Sequence, residues 1–186
     1  MRGLTGRLFW LALILLQVPA THAAAKVTIK TRRLGMSIHM DARARLHAPR
    51  GLVWATLTDY ANLWRFIPGL RYSRVLRRDG ATAYVEEQGE TRFLFVTFPI
   101  NVVLASSEHP PYRIDVHVVR GDLKRLKGSY RIVPNSDGTL LLTWSGAIQP
   151  GFWLPAYIDE ALVRSRIGAQ FEGMVHEIER RCTQKR

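Results

Sequence analysis

The chain has 186 residues, 47% of them hydrophobic, and a formal net charge of +12. Its one cysteine, Cys182, excludes an intramolecular disulfide and any cysteine-based zinc site, and leaves only pairing between chains. The basic residues are scattered, as Arg43/Arg45, Arg71/Arg74/Arg77/Arg78, Lys124/Arg125/Lys127 and Arg180/Arg181, with no arginine-rich arm or recognition helix; that argues against nucleic acid as a partner.

Residues 1–25 read as a secretory signal peptide. Arg2 and Arg7 give a positive start, and Leu8 to Leu16 is an apolar run too short for a bilayer span of about twenty residues. Ala23 and Ala25 fit an A-x-A cleavage rule, with Thr21 and Ala23 as a second option. The expectation is an exported domain over 26–186, large enough to bury one core. Loss of Arg2 and Arg7 lowers the formal charge from +12 to about +10. Anionic membrane surfaces and acidic ligands suit that charge. Export without disulfides fits a bacterial periplasm better than an extracellular medium.

Val27 and Ile29 suggest a short first strand. From Ile38 to Leu46, Ile, Met, Ala, Ala and Leu alternate with His39, Asp41, Arg43 and Arg45, the period of a half-buried strand. Pro49 opens a helical stretch with Val53, Trp54 and Leu57 on its apolar face. Thr58 or Asp59 can cap a second short helix through Phe66, which Pro68-Gly69 stops. Strands follow at about 71–78, 82–90, 92–106, 112–120, 126–133 and 139–148, with Asp79-Gly80 and Gly121-Asp122 as turns. A long helix is expected from Pro155 to Arg181, with Ile158, Leu162, Ile167, Phe171, Met174, Val175 and Ile178 as its apolar stripe. Hairpin succession implies an antiparallel sheet. The predicted fold is therefore α+β: a curved antiparallel sheet of about seven strands around a long C-terminal helix, with two short helices after the first strand. A cavity can lie between helix and sheet.

Local motifs point to a family. Val53-Trp54, Leu57-Thr58-Asp59-Tyr60 and Phe66-Ile67-Pro68-Gly69-Leu70 resemble the helix pair of the polyketide cyclase/dehydrase and coenzyme Q-binding group. Glu86-Glu87-Gln88-Gly89, Glu108-x-Pro110-Pro111-x-Arg113, Gly121-Asp122-Leu123-x-x-Leu126-x-Gly128 and Phe152-Trp153-Leu154-Pro155 resemble exported bacterial members. The likeness spans about residues 37–181. It implies the helix-grip fold of the START-like (SRPBCC) superfamily, whose members include binders, carriers and enzymes.

The residues supply little catalytic machinery. There is no H-x-H, H-E-x-x-H, Walker A or G-x-G-x-x-G pattern, so no metal or nucleotide cofactor is expected. Asp115 and His117 share a strand face and form the best acid–base pair, but on the phase opposite Ile114, Val116 and Val118. Glu86 and Glu87 are neighbours on a strand, so only one can face a cavity; a structural pair with Arg92 or Arg77 is the favoured role. Aromatic side chains are abundant. Trp54, Tyr60, Trp64, Phe66, Tyr84, Phe95, Trp144, Trp153, Tyr157 and Phe171 are the candidate ligand-binding residues, since pockets are mostly apolar with a few polar handles. Phe93 to Phe98 is apolar on both strand phases, which predicts either a covered face or an apolar patch for a membrane or second subunit.

Three functions follow. The first is an exported, non-catalytic binder or carrier of a lipophilic molecule; the resemblance supplies lipid, isoprenoid, quinone or polyketide-like candidates. The second is a cyclase or dehydratase in which Glu86 or Glu87 with Tyr84 would move protons. The third is an envelope interaction module with a packed cavity. Cavity volume separates the third from the others, and a buried, unpaired carboxylate separates the second from the first.

Overall fold

The computed structural model describes residues 25–93, 96–151 and 160–184, with side chains throughout except at 91–93, 96 and 160–163. Its strands are β1 (Val27–Leu34), β2 (Ser37–Leu46), β3 (Leu70–Asp79), β4 (Thr82–Phe93), β5 (Val96–His109), β6 (Arg113–Gly121), β7 (Leu123–Pro134) and β8 (Leu140–Pro150). They form one antiparallel sheet in the order β1-β2-β8-β7-β6-β5-β4-β3. The strand count is eight rather than about seven. Gly35, at φ +58, turns β1 back on β2, and the two pair from Leu34↔Ser37 to Val27↔Ala44. Lys30, Thr31, Arg32 and Arg33 mask this strand in the sequence because a sheet edge carries charge.

Pro49 precedes α1 (Arg50–Leu57), whose Val53 and Leu57 are buried. The second short helix, Tyr60–Arg65, is a 3-10 helix. Asp59 does not cap it. Its Oδ1 accepts a 2.8 Å bond from Asn62 Nδ2, and its Oδ2 accepts one of 2.7 Å from Arg181 Nη2. Arg181 Nε also donates to Glu177 Oε1 at 2.7 Å, while Arg180 donates to both Glu177 oxygens at 2.6 and 2.7 Å. Glu177 is only 7% exposed. A carboxylate there is tolerable because two guanidinium groups saturate it, and the bond from Arg180 leads in holding its acidity below the usual carboxylate pKa. This ionic cluster ties the end of the long helix to the junction between the short helices.

The long helix, α2 (Glu160–Gln184), buries Phe171, Met174, Val175 and Ile178 and half-buries Ile167. The predicted start at Pro155 lies outside the described residues; the end runs three residues past Arg181. Gly173 permits close docking, since a Cβ there would stand 2.5 Å from the Phe66 carbonyl oxygen. The helix packs on α1, β1, β2 and β4. Beneath it lie Met40, Ala42, Ala44 and Leu46 of β2, Ala83 and Val85 of β4, and Leu140, Leu142 and Trp144 of β8. All sit at alternate positions, as one buried sheet face requires.

Candidate functional site

The space between the sheet and α2 is not filled. A deep chamber of about 130 Å³ and a mouth of about 390 Å³ share Leu70, Glu87, Leu104, Leu126, Ile148, Ile167 and Gln170 as walls, and form one cleft. Small-molecule sites are typically ~300–1,000 Å³. The mouth is aliphatic: Ile38, Ile100, Val102, Leu123 and Ile167 line it, with Glu90, Arg166 and Gln170 as polar groups. The deep chamber is partly aromatic, walled by Tyr60, Tyr130, Trp144 and Phe171. Glycines make room for its largest ring. Gly128 and Gly146 face each other across β7 and β8, and the Trp144 indole lies over both. A Cβ at Gly128 would stand 2.4 Å from the indole. Tyr130, the cross-strand neighbour of Trp144, packs its ring 4.6 Å away at 51°.

Glu87 stands where the two chambers meet. Ala83 and Val85 are buried, and period two carries the same face on to Glu87. Glu86 points to the other side and is paired with Arg74 at 2.8 Å rather than with Arg77; the Arg92 side chain lies outside the described residues. Among the described residues Glu87 makes no hydrogen bond and no ion pair. Burial in the cleft wall desolvates the carboxyl and pushes its pKa up to about 7. Nearby, burial and then the charge of Glu87 push the Tyr130 hydroxyl up, so it stays a neutral phenol. Two more polar atoms are left over in the deep chamber. Trp144 Nε1 and the Tyr60 hydroxyl are buried without hydrogen-bond partners. The Tyr60 hydroxyl lies beside Ser106 and Glu108 but in bonding geometry to neither; burial, then Glu108, raises its pKa.

The structure divides the candidate aromatics. Tyr60, Trp144 and Phe171 line the deep chamber. Trp54 and Phe66 are half-buried against the core outside it, with the Arg181 guanidinium 5.4 Å from the Phe66 ring. Trp64 is 42% exposed and carries Arg65 on its ring, away from the cleft. A 3-10 helix repeats every three residues, so Tyr60 and Leu63 turn inward and Trp64 turns out. Tyr84 shares the outer face with Glu86 and is covered by Arg77, 3.5 Å above its ring. It cannot work with Glu87 across the sheet. Phe95, Trp153 and Tyr157 lie outside the described residues, as do the side chains of most of the Phe93–Phe98 run. The aliphatic mouth, with Ile38, Leu70, Ile100 and Ile148, was not singled out in the sequence; the inward phase of each strand was the available signal.

The expected Asp115–His117 pair does not form. Asp115 is hydrogen-bonded to His109 Nε2 at 3.1 Å and ion-paired with Arg113, whose Nε lies 3.1 Å away without bonding geometry, while His117 is exposed. This cluster is on the outer face and half-exposed. Among the described residues no group of histidine, cysteine and carboxylate side chains could hold a metal ion, and no helix is long and apolar enough to cross a membrane.

The family of polyketide cyclases/dehydrases and lipid-transport proteins matches residues 46–175, and the chain belongs to it. No curated protein sequence matches. An aromatase/cyclase, Zhui, from Streptomyces has a similar structure at 16% identity and TM-score 0.65, over 78% of this chain and 95% of that one. A STAR-related lipid transfer protein from Xanthomonas axonopodis aligns at 15% identity and TM-score 0.66, over 84% and 99%. A START superfamily protein from Mycobacterium smegmatis aligns at 16% and 0.62, over 80% and 99%. At these identities the likeness shows the fold, the helix grip.

Proposed function

We propose that this member of the polyketide cyclase/dehydrase and lipid-transport family is a binder or carrier of a lipophilic small molecule, of lipid, isoprenoid, quinone or polyketide-like character. We further propose that the N-terminal segment exports it to a periplasm. The observation that carries the reading is the unfilled cleft, with an aliphatic mouth and, at its waist, Glu87, a carboxyl unpaired among the described residues. Apolar surface transferred from water to such a wall stabilises a complex by ~25 cal/mol per Å². A carboxyl titrating near pH 7 is largely protonated below that value. It can then donate a hydrogen bond to a carbonyl or hydroxyl oxygen of the ligand without burying a charge. The open volume weighs against an interaction module with a packed core.

Glu87 also supports a second reading, a dehydratase or cyclase. A carboxyl with a pKa of about 7 suits proton transfer. Its neighbour Tyr130 stays a neutral phenol, and no histidine lines the cleft among the described residues, so Glu87 is the group left to move a proton there.

Native mass spectrometry of protein purified from a bacterial periplasm, with organic extraction of the released material, tests this. A stoichiometric lipophilic adduct, recovered unchanged after incubation, is expected. Recovery of that molecule lighter by one water would move the assignment to the dehydratase. A clean apo mass together with failure to bind any lipophilic probe would contradict both.

A further inference from the structure

The wall of the cleft has a gap. β6 and β7 pair only from Arg113↔Arg131 to His117↔Lys127, although β6 continues to Gly121 and β7 starts at Leu123. Beyond His117 each strand stays bonded to its outer neighbour alone. β6 follows β5 through Leu104↔Val118, Val103↔Arg120 and Val102↔Gly121, and β7 follows β8 through Leu126↔Ile148, Arg125↔Gln149 and Leu123↔Pro150. Asp122 fixes the far end of this slit. Its backbone N–H donates to the Asn101 carbonyl at 3.0 Å, its Oδ2 accepts from the Asn101 N–H at 2.8 Å, and its carbonyl accepts from the Gly151 N–H at 2.7 Å. The strands are therefore held apart rather than frayed. The motif Gly121-Asp122-Leu123-x-x-Leu126-x-Gly128 builds this feature, and the cleft alone leaves it unexplained.

The slit encloses about 400 Å³ and its rim carries His117, Lys124, Arg125 and Lys127. Val116 and Leu126 line both the slit and the deep chamber, and Leu126 also lines the mouth, so side chains common to the two spaces form the partition. On the outer face Arg74 is neutralised by Glu86 and Arg45 by Asp137, while Arg43 and Arg131 have no acidic partner among the described residues; the slit differs in gathering its cations around one space. Among the described residues Lys124, Arg125 and Lys127 have no acidic partner; of the two carboxylates at the slit, Asp115 is taken up by His109 and Arg113, and Asp122 by the Asn101 N–H. The facing strand edges also lack strand partners, so polar backbone groups await a hydrated or anionic occupant rather than a hydrocarbon chain.

We propose that the slit between β6 and β7 becomes a second, basic opening of the cleft when the Val116 and Leu126 side chains that part the two spaces turn aside, and that it takes the anionic head, a phosphate or carboxylate, of an amphiphile whose apolar body lies inside. This rests on the lipophile-binding reading above. It adds that the ligand is charged at one end and that its charged end leaves through the sheet.

The test compares cis-parinaric acid with the corresponding alcohol, by probe fluorescence, on the wild type, on the double variant Lys124→Gln/Lys127→Gln, and on a charge-matched control, Lys30→Gln/Arg43→Gln, on the far strands β1 and β2. All four positions are exposed. The double variant should bind the acid about tenfold more weakly or worse, as expected when charge-assisted contacts are lost, and the alcohol as the wild type does. The control should change neither, and the acid's loss should shrink as salt rises. Equal affinity of wild type and variant for the acid, or an equal fall for both probes, would overturn the slit while leaving the cleft intact. If neither probe binds the wild type, the cleft reading fails and the slit with it. Vesicles distinguish the source of the anion. If the variant loses co-sedimentation with phosphatidylglycerol vesicles but keeps full affinity for the free acid, the cations serve a lipid surface and the proposal is wrong.

Discussion

The two ends of the cleft are built on different chemistry. The deep chamber is walled by Tyr60, Tyr130, Trp144 and Phe171, yet has little room, about 130 Å³. The mouth holds about 390 Å³ and is walled mainly by Leu, Ile and Val. Large rings fill the space they border, because their volume stays in the core and interiors pack to near-crystalline density. Branched aliphatic chains on opposed strands and a helix leave a wider gap. The aromatic end thus serves mostly as core with spare polar atoms, and the aliphatic end provides the room for a ligand. Glu87 belongs to both.

Breaking the deep end should be the most expensive change. Phe171→Ala removes a side chain 1% exposed beneath α2. It should cost about 3–5 kcal/mol in urea unfolding, as truncated buried aromatics do. A loss under 1 kcal/mol would mean that the deep end is not core.

The waist gives the next effect. Burial raises the Glu87 pKa from 4.5 to about 7, so the folded state binds more protons than the unfolded state between those values. Stability should fall as pH rises through that window and level off above it. Glu87→Gln should remove this slope and stabilise the protein above pH 7 by up to about 3 kcal/mol, less to the extent that water reaches the carboxyl through the mouth. Unfolding free energies at pH 5 and pH 8 check it; an unchanged slope in the variant would mean that Glu87 has a partner in solution.

Trp64→Ala should do least. With its ring exposed and stacked under Arg65, its loss should change stability by about 0.5 kcal/mol or less and leave lipophile binding unaltered. A large loss of binding would place part of the site at the 3-10 helix and blur the contrast between the two ends.

The sheet and its helix were readable because period-two alternation and a 3.6-residue stripe directly reflect burial on one face. The choice left open between Glu86 and Glu87, and the outward turn of Tyr84, were readable by the same rule. Ala83, Val85 and Glu87 share a phase, which puts Glu87 inside and Tyr84 outside. Trp64 was harder, since its direction depends on three residues per turn rather than 3.6, and nothing in TDYANLWRFIPGL marks a 3-10 helix. Asp59 offered a cap by its position, but its partner Arg181 lies 122 residues away, beyond any local pattern. The β6–β7 slit was not legible at all. A turn at Gly121-Asp122 predicts a tight hairpin, and only the competing pairs with β5 and β8 hold the two strands apart.

The central claim is that the aliphatic mouth receives the ligand. Ile167, half-buried on α2, borders both chambers. Titration of the wild type and Ile167→Trp with the fluorescent lipophile N-phenyl-1-naphthylamine, alongside their thermal melts, tests it most directly. The larger ring should occupy the mouth and weaken the probe about tenfold or more while the fold still melts cooperatively. Undiminished affinity in a folded Ile167→Trp protein would contradict the assignment of the cleft as the binding site.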